Sequence, residues 1–203
     1  MIAIVDYGMG NVGSVQNALR LLGAEGRVTR NPKDFTEATH IILPGVGAFK
    51  DGMRGLRESG AVDSLTREVI EKKKPFLGIC LGMQLLADIG EEGGETAGLG
   101  WIKGRTRRLR VDEKTYRLPH IGWNDVEFST SPIFHNVVSH DFYFVHSYCI
   151  ESTDSKLIIG TCEYGEVFAA AVHSENIFGV QFHPEKSQKG GLQLLKNFIS
   201  LHS

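Results

Sequence analysis

The first half of the chain repeats one pattern. A short apolar or β-prone segment is followed by a Gly- or Pro-bearing turn and then by residues with helical spacing. Ile2–Val5, Gly26–Thr29, residues 40–43 and the run behind Pro75 read as strands, the apolar ones short and continuous enough to be buried. Between them, Val15, Leu19 and Leu22 fall on one helical face that stops at Gly23. Residues 51–59 and 61–74 are expected as helices whose inward stripe is Leu56, Val62, Leu65, Val69 and Ile70. Residues 81–88 are expected as a further helix. The second half changes to short strands at 100–103, 105–111, 125–128, 141–148, 156–162, 167–172 and 177–181. Residues 187–201 close the chain as an amphipathic helix through Leu192, Leu195, Phe198 and Ile199. The pattern predicts an α/β fold with a mixed, largely parallel central sheet flanked by helices, and short antiparallel strands in the second half.

The strand behind Pro75 meets its helix through Gly78-Ile79-Cys80-Leu81-Gly82. A residue at such a corner is forced into a strained backbone conformation, and the flanking glycines leave room for the chain to reverse around it. Cys80 is therefore expected to stand exposed above the sheet edge, at a helix N-terminus whose positive end favours a thiolate. The N–H of Leu81 would face an oxyanion formed on a carbonyl that the sulfur attacks. A cysteine alone is more often a small buried hydrophobe. A base elsewhere in the chain changes that balance, and Phe182-His183-Pro184-Glu185 supplies one. Pro184 biases His183 towards extended geometry, so His183 and Glu185 project to the same side. Nucleophile, base and orienting carboxylate make a Cys–His–Glu set suited to acyl transfer. The competing reading of His183 and Glu185 is a structural ion pair at a strand end.

The whole chain narrows the alternatives. Its 203 residues, 41% hydrophobic and 23% charged, suit one ordinary globular domain. A net charge of −2 gives no bulk field for nucleic acid or an anionic membrane. Three cysteines without metal-type spacing favour a reduced, cytoplasmic protein with neither disulfides nor a metal, and no apolar run reaches membrane-spanning length. Gly8-Met9-Gly10-Asn11-Val12-Gly13 contains a literal G-x-G-x-x-G, but the second strand ends in Arg30-Asn31-Pro32 where a dinucleotide site wants an acid. It reads better as a tight turn at the carboxyl edge of the sheet. Pro44-Gly45-Val46-Gly47 is a loop whose peptide plane turns over cheaply and so can aim an N–H at or away from Cys80. Gln84, four residues past Cys80, shares its helix face. Glu91-Glu92-Gly93-Gly94-Glu95 is an acidic loop able to offer a carboxylate to a substrate ammonium. Lys103, Arg105, Arg107, Arg108 and Arg110 form a basic ribbon, expected to be solvated or to face a partner. Residues 119–124 are expected as a Gly-bearing turn presenting Trp123, and His146 is a second possible base.

With GICLGMQ and FHPE in one chain, the sequence resembles the class I (triad-type) glutamine amidotransferases. Members of that family use the cysteine to attack the carboxamide of glutamine, release ammonia, and pass through a glutamyl thioester that water hydrolyses. DYGMGNVGSV, LPGVGAF, LPHIGWN, YFVHSY and GVQFHPEKS narrow the resemblance to the branch of glutaminase subunits in histidine biosynthesis. It runs over nearly the full length without a synthetase domain, which implies a separate partner, a (β/α)8 cyclase, that receives the ammonia. The resemblance implies a flavodoxin-like fold and no cofactor. It makes Cys80 the nucleophile, His183 the base and acid, and Glu185 the orienting residue, with backbone of Leu81 and of Gly45, Val46 and Gly47 as oxyanion donors. Gln84, Glu92 and the backbone at Ser147 and Tyr148 would hold glutamine, while Asn11, Trp123, Tyr143, His146 and Lys186 would face the partner. Two other functions stay open: a non-catalytic relative kept for binding or regulation, and a stand-alone thiol amidohydrolase.

Overall fold

The computed structural model describes residues 1–201. Strands β1 (Ile2–Val5), β2 (Gly26–Thr29), β3 (His40–Gly45) and β4 (Phe76–Cys80) alternate with helices α1 (Val12–Leu21), α2 (Pro32–Glu37), α3 (Phe49–Glu58) and α4 (Ala61–Thr66). The last helix runs on as a π-helical turn, Arg67–Glu71. A one-turn helix, α5 (Leu81–Gln84), leads into β5 (Ala87–Gly90), β6 (Thr96–Ala97), β7 (Ile102–Arg108) and β8 (His120–Phe128). Then follow β9 (Asp141–His146), β10 (Tyr148–Ser152), β11 (Ile158–Glu163), β12 (Val167–Ser174), β13 (Ile177–Val180) and helix α6 (Gln188–Ile199). No helix among the described residues is long and apolar enough to cross a membrane.

Nine strands form one sheet in the order β2-β1-β3-β4-β13-β12-β11-β8-β9. It is parallel from β2 to β13 and antiparallel beyond. A smaller sheet has the order β10-β7-β5-β6. In β1, Ile2 and Ile4 enter one core with Val15 and Leu19 of α1 and Leu194 and Phe198 of α6. Ala3 and Val5 enter the other, with Phe35, Phe49, Leu56 and Leu65. Every residue of β1, β3 and β4 is buried, because helices cover both faces of a parallel sheet. The consequence for function is positional. β4 lies between β3 and β13, with Cys80 opposite Gly45 and Ile79 opposite Val180. Three neighbouring carboxyl ends therefore deliver residues 45–47, 80–82 and 181–185 to one place, where α/β sheets bind ligands.

Several expectations are corrected. The helix expected over 81–88 is a single turn, because the carbonyls of Leu85, Leu86, Ala87 and Asp88 accept from the N–H groups of residues 98–102. Leu85, Leu86 and Ala87 are all buried, which no amphipathic helix allows. Residues 100–103 and 105–111 belong largely to one strand, β7, with Gly104 at φ 137° in its middle. The turn expected at 119–124 is the start of β8, paired with β9 from His120↔His146 to Asp125↔Asp141. Residues 141–148 are not one strand. They split at Ser147 into β9 and β10, which lie in different sheets. The basic ribbon is solvated as expected at Lys103, Arg105, Arg108 and Arg110, which pair at the surface with Asp88, Glu91, Glu113 and Glu151, but not at Arg107, which is buried between Glu151 and Glu166.

The expected stripe of the 61–74 segment holds at Leu65 and Val69, yet the same face also buries Glu68, at 0% exposure. Its carboxylate meets Lys72 and Lys74 at 2.9 Å each and accepts from the Thr36 hydroxyl at 3.0 Å, which ties α2 to the π-helical turn. Burial alone would raise its pKa, but the hydrogen bonds from Lys72, Lys74 and Thr36 outweigh it and lower the group from 4.5 to about 2. A depressed carboxylate stabilises the fold fully above the unfolded value, and that contribution is lost as pH falls from 4.5 through 2. Glu68→Gln should therefore be less stable than the parent at neutral pH, with the gap closing in acid. Thermal melts of both proteins between neutral pH and pH 2 check this, and a gap independent of pH would contradict it.

Candidate active site

Cys80 ends β4 at φ 54° and ψ −109°, a conformation costly for any residue with a side chain. The corner is held by two close approaches that need glycine. A Cβ on Gly78 would strike the Gly82 carbonyl, and one on Gly82 would strike the Leu43 carbonyl on β3. The elbow is as expected, but the side chain is not exposed: Cys80 is 4% accessible. Its thiol donates to the Val145 carbonyl of β9 and accepts from Gln181 Nε2, both at 3.6 Å. With α5 only one turn long, little macrodipole is available, so stabilisation of a thiolate must come from neighbouring groups.

His183 leaves β13 in extended geometry ahead of Pro184, and its Nδ1–H donates to Glu185 Oε1 at 2.9 Å. Both side chains are nearly fully buried. Burial opposes a charged imidazole, but the Cys80 sulfur and the Glu185 carboxylate outweigh it and raise the His183 pKa above the ordinary histidine value. Its Nε2 has no hydrogen-bond partner among the described residues, which leaves it available to a reacting group. The backbone is pinned from β9: His183 N–H donates to the Tyr143 carbonyl at 2.9 Å, and Tyr143 N–H donates to Ser187 Oγ, which itself donates to the His183 carbonyl.

A cleft of about 370 Å³ opens above the elbow. Val46, Gly47, Cys80, Leu81, Gln84, Glu92, His146, Ser147 and Tyr148 all line it, so most of the expected oxyanion and substrate residues converge. As the first residue of α5, Leu81 has an N–H without a partner inside the helix. Val46 differs. Its N–H donates to the Met9 carbonyl at 2.7 Å, away from any oxyanion, and Gly47 beside it sits at φ 101°. Among the acidic loop residues, Glu92 reaches the cleft, where its carboxylate caps α3 through the Phe49 N–H at 2.8 Å. Glu91 turns to Arg105, and Glu95 is exposed. Gln84 uses its amide NH2 internally, on the Tyr148 carbonyl at 2.8 Å and Gln181 Oε1 at 3.0 Å. Gln181 itself, 0% exposed, was not among the residues expected at the site. The signal was present as a polar residue inside the apolar run from Ile177 to Phe182, which must find a partner once buried.

Of the residues expected to face a partner, Trp123, Tyr143 and Lys186 form one surface patch. The Trp123 and Tyr143 rings lie 6.0 Å apart, and Lys186 Nζ sits 5.7 Å from the Tyr143 centroid. Asn11 is exposed and caps α1 through its side-chain oxygen. His146 is the exception, at 5% exposure. In β9, Phe142, Phe144 and His146 point inward while Tyr143 and Val145 alternate with them, so His146 cannot share the patch. Nor does it serve as a second base. A carbonyl only accepts, so His146 Nδ1–H donates to the Tyr148 carbonyl at 2.8 Å, and the Nε2 lone pair is taken by His120 Nδ1–H at 3.1 Å. Burial lowers His146 to about 3 and His120 to about 4, which keeps both rings neutral. No group of His, Cys, Asp or Glu among the described residues is arranged to hold a metal ion.

The model of the glutamine amidotransferase class-I family matches residues 3–201. The chain belongs to the class I glutamine amidotransferases. It is 48% identical to imidazole glycerol phosphate synthase subunit HisH 2 of Methanococcus maripaludis, over 98% of either chain. It is 50% identical to the HisH subunit of Moorella thermoacetica, over 98% of this chain and 94% of that one. Among solved structures, a glutamine amidotransferase superposes with a TM-score of 0.76 at 20% identity, covering 98% of this chain and 97% of the other. PurLQS from Thermotoga maritima superposes with a TM-score of 0.73 at 19% identity, covering 98% and 96%. These two show a shared fold.

Read as the catalytic set of an amidotransferase, Cys80, His183 and Glu185 would carry separable roles. His183→Ala should lower glutamine hydrolysis nearly as far as Cys80→Ala, since members of a catalytic unit are not additive. Glu185→Gln keeps an acceptor for His183 Nδ1–H and loses the charge. Its kcat should fall about ten- to a hundredfold, the worth of one hydrogen bond to a charged group. Steady-state glutamate release measures all three, and a Glu185→Gln variant as inactive as His183→Ala would show that Glu185 does more than orient the ring.

Proposed function

We propose that this chain, read as one amidotransferase domain, is the glutaminase subunit of an imidazole glycerol phosphate synthase. It hydrolyses glutamine to glutamate and ammonia and passes the ammonia to a (β/α)8 cyclase subunit in a heterodimer. The observation that carries the reading is the meeting of Cys80, from the end of β4, with the buried His183–Glu185 pair that follows the adjacent β13, Cys80 itself lining a cleft with Leu81 and Gln84. The HisH subunits that match over nearly their whole length support the partner and the pathway.

In this mechanism the Cys80 sulfur attacks the carboxamide carbon of glutamine while the thiol proton passes to His183 Nε2. The Leu81 N–H receives the oxyanion. His183 returns the proton to the leaving nitrogen, ammonia departs, and a glutamyl thioester remains on Cys80. His183 then takes a proton from water, the hydroxide attacks the thioester, and glutamate leaves as the thiol is restored. Gln84, Glu92, Ser147 and Tyr148 surround the substrate. Asn11, Trp123, Tyr143 and Lys186 present the docking face. The Val46 N–H, engaged by Met9, supplies no second oxyanion donor at rest. Rotation of the peptides around Val46 and Gly47 would free one, and docking beside Asn11, two residues from Met9, favours that rotation.

A missing oxyanion donor costs on the order of a hundred- to a thousandfold in rate. The isolated chain should therefore hydrolyse glutamine slowly, with a rise of about a hundredfold or more on adding the cyclase and its acceptor nucleotide. In the same assay, Cys80→Ala should abolish glutamine-dependent turnover while the cyclase still runs on ammonium salts. The loop expected from Pro44 begins only after Gly45, which ends β3, and equal glutamate release with and without partner and ligand would leave Val46 and Gly47 an ordinary turn.

A further inference from the structure

The amide of Gln181 has an orientation that its neighbours dictate. Two donors converge on the Tyr148 carbonyl, His146 Nδ1–H and the Gln84 side chain, both at 2.8 Å. Since a carbonyl only accepts, the Gln84 atom facing it is Nε2. That same NH2 group lies 3.0 Å from the Gln181 side chain, so the atom it meets there is Oε1. The other end of the Gln181 amide, Nε2, then faces Cys80 Sγ at 3.6 Å. The reverse orientation would set two NH2 groups against each other and a carbonyl oxygen against the sulfur. Gln181 is 0% exposed, one residue past β13 and two before His183, so its side chain has no solvent to turn to.

We infer that Gln181 is a positioning residue for the glutaminase reaction, its side-chain N–H holding the Cys80 sulfur and stabilising the charge that the sulfur carries as a nucleophile. The inference rests on the amidotransferase reading above and deepens it. It supplies the neighbouring donor that a one-turn α5 lacks. A hydrogen bond to a charged acceptor is about twice as strong as a neutral one, so this contact strengthens when Cys80 gives up its proton and weakens when the sulfur is acylated. It therefore favours both the attacking thiolate and its departure as the thioester is hydrolysed. Neither His183 nor Glu185 need move for it.

The test is the rate of Cys80 alkylation by iodoacetamide against pH, on the full chain without glutamine, together with kcat and KM for glutamine. Gln181→Glu keeps the acceptor that Gln84 uses and removes the donor to sulfur. Gln181→Met removes the donor and adds no charge. Both should move the midpoint of the alkylation profile upward by about one pH unit or more, the worth of a hydrogen bond to a charged group. Both should lower kcat about tenfold or more, with KM changed far less. A residue that merely packs would lower the melting temperature and leave the midpoint in place, and that result in a folded variant would overturn the inference. Should neither variant fold, the side-chain amide protons of Gln181 in the parent decide by NMR. They should shift across the same pH range as Cys80 alkylation, and their indifference would equally overturn it. A parent chain inert to glutamine even with the cyclase and its acceptor nucleotide, with the alkylation shifts intact, would instead sink the glutaminase reading and leave Gln181 as the group that holds the Cys80 sulfur.

Discussion

The site depends on a close approach of backbones at the end of β4. Gly82 lies against the Leu43 carbonyl and Gly78 against Gly82, so the chain can reverse around Cys80 and hold it at a positive φ. Such a conformation costs of order 1–3 kcal/mol and persists only where the surroundings over-determine it. Here they do. β4 is flanked by β3 and β13, all three are buried, and a side chain at 82 would force the elbow off β3, while one at 78 would force it off β4. The same adjacency places His183 next to Cys80, because β13 pairs in parallel with β4 and ends level with it. The proposed nucleophile and base are thus set by one pair of strands.

Tyr143 joins that arrangement to the surface. Its carbonyl holds the His183 N–H, its N–H meets Ser187, and its ring belongs to the patch with Trp123 and Lys186. Val145, two residues on, accepts from the Cys80 thiol. β9 is an edge strand of the large sheet, and its Tyr143 and Val145 carbonyls meet His183 and Cys80. A partner docked on the Trp123–Tyr143 face, as proposed, would press on a strand in contact with both Cys80 and His183. The loop at Val46 offers a second route, through Met9 and the Gly-rich turn that carries Asn11.

Much of this was legible in the residues. The apolar runs of β1, β3 and β4, the glycines around Cys80 and the proline behind His183 are local signals, and each is realised. The parity of β9 was legible too: Tyr143 and His146 differ by three positions, so they fall on opposite faces, and the inward place of His146 follows from period two. What local pattern did not carry are pairings made across the chain. Residues 85–88 leave the helix because segment 98–102 claims their carbonyls, and nothing between 81 and 88 announces that. Glu68 is a charged residue beside an apolar stripe, and only the tertiary placement of Lys72, Lys74 and Thr36 around it compensates its burial. Gln181 reads as one polar residue in a strand until the Tyr148 carbonyl fixes the direction of Gln84.

That Cys80 is the nucleophile toward the carboxamide of glutamine is tested most directly by mass spectrometry of the intact chain after exposure to a glutamine-mimicking electrophile. All three cysteines are buried, so burial alone does not single one out, whereas Cys80 lines the cleft and pairs electrostatically with His183. The account predicts a single adduct, located on Cys80 and suppressed by excess glutamine. An adduct on Cys149 or Cys162, or a Cys80 that stays unmodified, would contradict it.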